Sequence, residues 1–207
     1  MIRIPLILSA LLGAIIPFSI AVPFQLEERT SSPSPKDAAI SNIAYGGTGC
    51  PQGSAVVELS SDSSSFSIGF NDFTATLSSI LDSRKFCQVN LALSAPSGWQ
   101  YTVIAANFTG FALLGSNAQA CHTSSVYFSG STDESSFTAT LNGPAAYIYN
   151  IAAANIVDNN VWSACGSNAG LNIKSVVTLS GSGTGEIIEI GESVKVAGIY
   201  ALGWRKC

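Results

Sequence analysis

The chain is constrained most by an alternation of apolar and polar residues with a period of two, which recurs from Ile40 onward. Successive side chains of a β-strand point to opposite faces, so this period is typical of strands with one buried and one solvated face. Many short strands of this kind favour antiparallel sheets packed as a sandwich. We therefore predict an all-β fold, a single-domain antiparallel β-sandwich. The pattern lies in residues 66–70, 87–93, 99–103, 137–141, 171–179 and 194–204.

Turn signals separate these segments. Pro96-Ser97-Gly98 lies between two of them and predicts a hairpin that joins residues 87–93 to residues 99–103. Asn142-Gly143-Pro144 ends another strand. A weak helical pattern covers residues 73–81.

The amino-terminal residues predict a secretory signal peptide. Arg3 precedes an apolar run over residues 4–20, which is too short for a stable membrane span. We divide the chain into a signal peptide at residues 1–21, a Ser/Pro-rich linker or short pro-segment at residues 22–39, and the sandwich domain at residues 40–207. The mature protein is expected to be secreted and extracellular.

Composition excludes some partners. Charged residues are 11% of the chain, the net charge is −4, and no basic patch is present. Nucleic acid and anionic membranes attract basic surfaces, so we expect neither as a partner. Apolar residues reach 47%, which favours a folded core over disorder. We expect a monomer.

Five cysteines occur, at positions 50, 87, 121, 165 and 207. In an oxidising compartment they predict disulfides, and an odd count leaves one over or bonded to another chain. Their spacing alone leaves the connectivity open.

Several short motifs are more specific than the strand pattern. The chain resembles a family of small secreted proteins, domain of unknown function 4360, common in filamentous fungi. The resemblance implies a secreted, β-rich, cysteine-containing protein and no established activity. It covers residues 40–179 and rests on Tyr45-Gly46-Gly47-Thr48-Gly49-Cys50-Pro51-Gln52-Gly53-Ser54, Cys87-Gln88-Val89-Asn90-Leu91, Pro96-Ser97-Gly98-Trp99-Gln100, Phe70-Asn71-Asp72-Phe73, Phe108-Thr109-Gly110-Phe111-Ala112, Tyr127-Phe128-Ser129-Gly130 and Asn142-Gly143-Pro144.

Two cysteines lie inside those family-like segments, and we predict that Cys50 is bonded to Cys87. Cys121 with Cys165 is the second expected pair. Cys207 follows the last predicted strand and is expected to be unpaired and exposed. The glycine-rich segment before Cys50 does not join a strand to a helix, so we interpret it as a tight turn rather than a phosphate site.

A catalytic centre built on His122, the single histidine, is disfavoured. A triad or a zinc site needs further partners, and Cys121 is expected in a disulfide. A glycosidase instead needs two facing carboxylates about 5–10 Å apart. Asp72 is the best single candidate, although an aspartate there could equally accept backbone N–H bonds in a turn. Calcium bound by Asp62, Asp72 and Asp82 is a weaker alternative, and we expect no metal, cofactor or catalytic residue.

Asn107-Phe108-Thr109 is a sequon for N-glycosylation, and we expect Asn107 near the end of the strand that begins at Trp99. Trp99, Trp162 and Trp204 could form a platform for sugars, or they could belong to the core. Trp99 and Asp72 are therefore the candidate functional residues.

Two functions follow. The first is a secreted non-catalytic β-sandwich of unknown molecular function, acting at a cell wall, matrix or host surface by binding a cell-wall polysaccharide or an extracellular protein. The alternative is a secreted carbohydrate-active hydrolase that uses a carboxylate pair. The scarcity of acid–base residues favours the first.

Overall fold

The alternating segments become strands in the computed structural model, which describes residues 34–155, 160–166, 168–183, 185–188 and 198–207. The predicted signal peptide and most of the linker lie outside these residues. No helix occurs in the described part of the chain, and hence none that could cross a membrane. The strands are β1 (Ala39–Gly46), β2 (Ala55–Leu59), β3 (Ser65–Phe70), β4 (Thr74–Thr76), β5 (Arg84–Ser94), β6 (Trp99–Leu114), β7 (Asn117–Phe128), β8 (Glu134–Asn142), β9 (Ala145–Asn155), β10 (Leu171–Ser182), β11 (Gly185–Ile188) and β12 (Gly198–Lys206).

The strands form two antiparallel sheets. The first sheet has the order β1-β5-β10-β7-β8, and the second has the order β9-β6-β12-β3-β2. β12 begins opposite Phe108 of β6, and the next part of β6, from Phe111 onward, pairs with β11 instead. β4 pairs with the other side of β11. A short ladder between β8 and β9 joins the two sheets at one side. The predicted antiparallel β-sandwich is therefore confirmed.

Two local predictions were wrong. The turn at Pro96 forms, with the Trp99 N–H donating to the Pro96 carbonyl over 3.0 Å. However, β5 pairs with β1 and β10, whereas β6 belongs to the second sheet, so this turn crosses between sheets instead of closing a hairpin. The expected helix at residues 73–81 is strand β4 followed by turns, because Phe73 is buried in the core and β4 pairs with β11.

The inward side chains of both sheets form one apolar core. Tyr200 of β12 stacks on Phe66 of β3 with ring centroids 5.0 Å apart. Its hydroxyl lies 2.9 Å from the Ser124 hydroxyl and 3.3 Å from the Ser175 hydroxyl, both on the first sheet. A buried hydroxyl costs free energy unless it is hydrogen-bonded, so this cluster fixes how the two sheets face each other.

The glycine-rich loop docks on the beginning of β5. β1 pairs with β5 up to Gly46 opposite Gln88, so the chain that leaves β1 is already beside Cys87. The Gly49 N–H donates to the Phe86 carbonyl over 2.8 Å, and Cys50 is bonded to Cys87, the predicted pair. A Cβ at Gly47 would overlap that same carbonyl oxygen, which explains why this position needs glycine.

The second disulfide corrects the sequence-based pairing, because Cys165 is bonded to Cys207 and Cys121 is a free thiol. β12 runs antiparallel to β6 and brings Lys206 opposite Trp99. Residues 160–166 dock at the same place, where the Gly166 N–H donates to the Trp99 carbonyl over 2.8 Å. Cys121 lies on β7 in the other sheet, opposite Thr140 and Thr178.

Gly47→Ala is expected to lower the free energy of unfolding by on the order of 2 kcal/mol, since the added methyl group must push the loop away from β5. For a domain of this size that corresponds to a melting temperature lower by about 4–8 °C, measured by circular dichroism. Gly46→Ala is the matched control, because no atom lies within 4 Å of a Cβ built there. Equal melting temperatures for the two variants would contradict the docking.

Peptide mapping under non-reducing conditions is expected to recover Cys165 linked to Cys207 and Cys121 as the alkylated thiol. Replacing both Cys165 and Cys207 by serine should destabilise the protein by about 4 kcal/mol in the chain-entropy model. Cys121→Ser should leave the melting temperature close to that of the wild type. A peptide that links Cys121 to Cys165 would refute this connectivity.

Candidate functional site

His122 lies in the core, where it is 3% exposed. Its imidazole stacks on Phe108 with ring centroids 3.7 Å apart, and Phe73 packs edge-on at 6.4 Å. Cys121 points to the opposite, outer face, as alternation along a strand requires. The imidazole therefore packs between the sheets and does not meet a substrate at the surface.

The candidate carboxylates do not converge. Asp62 lies in the turn before β3 and Asp72 lies just after it, so the six residues of this strand separate them by roughly 20 Å. Asp72 is exposed, and the Thr74 N–H donates to its backbone carbonyl rather than to its carboxylate. Among the described residues, no group of three or more His, Cys, Asp or Glu side chains is placed to hold a metal ion.

Asp62 and Asp82 each organise a turn. The Asp62 carboxylate accepts hydrogen bonds from the Ser60 hydroxyl at 2.7 Å and from the N–H and hydroxyl of Ser64 at 3.0 and 2.8 Å. These bonds, first of all the one from Ser60, lower the pKa of Asp62 to about 2. Lys85 donates to Asp82 at 2.8 Å, which together with Ser79 lowers the pKa of Asp82.

The three tryptophans do not share a surface. Trp204 is buried, and its indole N–H donates to the Ser63 carbonyl over 2.8 Å. The guanidinium of Arg205 lies 3.8 Å from the ring centroid of Trp162, and the ammonium of Lys206 lies 5.5 Å from that of Trp99. Because Arg205 and Lys206 are adjacent in β12, Trp162 and Trp99 lie on opposite faces of the second sheet.

Asn107 is not at a strand end. It lies in the middle of β6 between Ile199 of β12 and Ala152 of β9, on the outer face of the second sheet. β6 extends to Leu114, well past the end that its amino-terminal alternation indicates. The residue is partly exposed, although its Oδ1 is buried.

The outer face of the first sheet carries the best candidate site, which we call the polar face. It is built from outward side chains of β5, β10, β7 and β8 that hydrogen-bond to one another across the strands. Lys174, partly buried, is the charged residue at its centre. Its principal members are Gln88, Asn90, Thr123, Tyr127, Thr138 and Asn172.

The Tyr127 side chain is tethered across this face. Its hydroxyl accepts a hydrogen bond from Nε2 of Gln88 at 2.8 Å, although Tyr127 is on β7 and Gln88 is on β5, with β10 between them. Two strand spacings separate the backbones by roughly 10 Å. Side chains that stood upright could not meet over that distance, so the two side chains lean toward each other over β10, and Tyr127 stays partly exposed.

An amide cluster continues the polar face beside this ring. Nδ2 of Asn90 donates to Oδ1 of Asn172 at 2.9 Å, and Nδ2 of Asn172 donates to the Ser129 hydroxyl at 3.0 Å. Gly170 leaves room for this arrangement, because a Cβ there would lie 2.8 Å from the Asn90 side chain. The amides are thus held in fixed orientations before any ligand arrives.

A shallow recess borders the polar face on the β1 side. Its volume is about 370 Å³, and it is open to solvent. Gly46 leaves space there, since nothing lies within 4 Å of a Cβ built at this position. The recess is lined by Ala44, Tyr45, Gly46, Phe86, Gln88 and Asn90.

The polar face could not be recognised from the sequence. Its residues come from four strands that are far apart in the chain. In its own segment, each residue has the pattern of an ordinary solvent-exposed strand position. The available signal was the family-like segment Cys87-Gln88-Val89-Asn90-Leu91, in which both polar residues have amide side chains.

The chain belongs to the family described as Domain of unknown function (DUF4360), whose model matches residues 36–207. A relative from Arthroderma benhamiae, described as an uncharacterized secreted protein, is 35% identical over 153 residues. The match covers 72% of this chain and 62% of the relative, so the chain spans less than two thirds of that protein's length. The expected family and extracellular localisation are both confirmed.

A similar solved structure is that of TmCBM61 in complex with β-1,4-galactotriose. It is 13% identical, with a TM-score of 0.30, and the alignment covers 81% of this chain and 90% of the other.

The Asp62 turn gives a pH prediction. Its folded-state pKa of about 2 lies below the ordinary value of 3.8, so the stability it contributes is complete above about pH 5 and is lost as the pH falls towards 2. The difference in melting temperature between wild type and Asp62→Ala should therefore shrink between pH 5 and pH 2. An NMR titration of the carboxyl carbon should give a midpoint near 2, and Ser61→Ala serves as the control. A midpoint near 4 would contradict the hydrogen-bonded turn.

Proposed function

We propose that the protein is a secreted, non-catalytic binding protein that holds a neutral polysaccharide on its polar face. The observation that carries the proposal is the partly exposed side chain of Tyr127, whose hydroxyl is tethered across β10 by the hydrogen bond from Gln88. A tethered, partly exposed aromatic ring is suited to stacking against the C–H face of a sugar, because it offers apolar area at little cost in side-chain entropy.

The neighbouring groups favour a neutral ligand rich in hydroxyl groups. Amides and hydroxyls both donate and accept hydrogen bonds, as sugar hydroxyls do. The polar face contains many such groups, and its charges include both the central cation Lys174 and the carboxylate of Glu134 opposite Tyr127, so an acidic ligand is not needed to match it. The partly exposed Asn90 is oriented in advance by its bond to the buried Asn172, which reduces the entropy lost on binding.

The open shape favours a polymer over a small molecule. Small-molecule sites are concave and bury most of their ligand. The polar face instead crosses several strands and ends in a shallow recess at β1, so an extended chain could contact several strands at once. Binding at a cell wall or matrix follows from this together with the extracellular localisation.

Tyr127→Ala is expected to weaken retention on the preferred insoluble polysaccharide by about tenfold, equivalent to about 1.4 kcal/mol, because it removes the stacking surface. Tyr127→Phe keeps the ring but loses the bond to Gln88, so its loss should be smaller. Depletion binding against a panel of neutral wall polysaccharides measures both.

Tyr147→Ala is the matched control, because Tyr147 is an exposed tyrosine of the second sheet, outside the polar face. It should bind as the wild type does. If the wild type binds no polysaccharide in the panel, or if Tyr127→Ala and Tyr147→Ala bind equally well, the proposal fails. Capture of an extracellular protein through Tyr127 would instead favour a protein ligand.

A further inference from the structure

The outer face of the second sheet carries several large exposed apolar side chains, although Thr109, Asn150 and Ser67 lie among them. Ile148 of β9 is 69% exposed and Ile199 of β12 is 41% exposed. Ile104 and Leu113 of β6 are also exposed, and Phe111 is partly exposed opposite Ile148. We call this region the apolar face.

Only one end of this outer surface is covered by the described chain. Residues 160–166 lie over the end of β6 near the Cys165–Cys207 disulfide. There the Thr102 hydroxyl donates to the Val161 carbonyl at 2.7 Å, and the Ser163 N–H donates to the Tyr101 carbonyl at 2.8 Å. Thr102 is consequently buried although it points outward. The apolar face begins where residues 160–166 no longer lie over β6.

The sequon lies inside the apolar face. Asn107 is the direct neighbour of Ile199 across the β6–β12 ladder, one strand spacing away. Phe111 is four residues further along β6, at about 13 Å. Phe108, the middle residue of the sequon, points into the core, while Thr109 points outward beside Asn107. A glycan on Asn107 would thus leave the sheet next to Ile199 and within a few sugar lengths of Ile148.

We propose that Asn107 carries an N-glycan whose first sugars lie on the apolar face and keep it from associating with other surfaces. Sugar rings have apolar C–H faces, which can cover isoleucine and phenylalanine side chains, and hydroxyl edges, which remain in water. An exposed apolar patch of this kind otherwise marks an interaction site or an aggregation risk.

The modification chemistry is compatible with the position of Asn107 in the middle of a sheet. Nδ2 bonds to C1 of the first sugar as the C1–O bond to the diphosphate of a lipid-linked oligosaccharide donor breaks. The lipid diphosphate leaves, and the amide releases one proton. Both partners of β6 at this position, Ala152 and Ile199, follow it in the chain, so Asn107 is unpaired when it is first translocated.

The test uses full-length protein secreted from a eukaryotic host. Thr109→Ala removes the sequon and keeps Asn107, whereas Thr109→Ser keeps the sequon and is the matched control. Asn107→Gln removes the sequon through the other residue. Intact mass gives occupancy, the fluorescence of an apolar dye gives accessible apolar surface, and light scattering after gel filtration gives oligomeric state.

We expect wild type and Thr109→Ser to be glycosylated and monomeric, with low dye fluorescence. Thr109→Ala and Asn107→Gln should both show a several-fold rise in dye fluorescence and concentration-dependent self-association. Adding Ile148→Thr and Ile199→Thr to Thr109→Ala should reverse both changes. If the unglycosylated variants are not secreted, enzymatic removal of the glycan from folded wild-type protein must give the same rise.

Three results would overturn the proposal. One is an unoccupied Asn107 in the secreted wild type. Another is an occupied Asn107 whose removal changes neither dye binding nor oligomeric state. The third is a glycosylated wild type that forms a dimer dissociated by Ile148→Asp, which would assign the apolar face to a second copy of the chain.

Discussion

Strand β6 is the constraint on which the rest of the second sheet depends. Its backbone groups are paired on one side by β9 and on the other side by β12 and then β11. Buried backbone groups must be hydrogen-bonded, so a long central strand forces its neighbours to follow its full length. This places the carboxyl-terminal strand beside Trp99 and sets Cys207 within reach of Cys165. It also fixes Asn107 far from any turn.

The sequence predicts those features of the fold that depend on neighbouring residues, and it does not predict those that depend on distant strands. The alternation of Leu91, in the core, with Asn90, on the polar face, is visible in the sequence and predicts the sandwich that the strand pairing confirms. The turn at Pro96 is visible too, but a tight turn has the same local chemistry whether the next strand pairs with the previous one or crosses to the other sheet. Pairing is decided by distant strands, which periodicity does not reveal.

The length of β6 could not be predicted from the sequence for a different reason. The pairing with β12 shifts by one residue at Ile104, because Ala105 faces Ala201 and Val103 faces Leu202. Such a bulge adds one residue and reverses which parity points inward. The alternation that begins at Trp99 therefore changes phase there. A prediction that assumes a fixed period of two consequently ends the strand too early. The misplacement of Asn107 at a strand end follows from this single bulge.

The two outer faces have different chemistry, although the same folding requirement acts on both sheets. The core needs only the inward positions to be apolar, so the outward positions are free to vary without loss of the fold. On the first sheet these positions carry amides, hydroxyls and the tethered ring of Tyr127. On the second sheet they carry isoleucines around a sequon asparagine. Isoleucines favour strands and cross-strand polar pairs stabilise a sheet, but either set would serve on either sheet, so stability alone does not explain why the two outer faces differ.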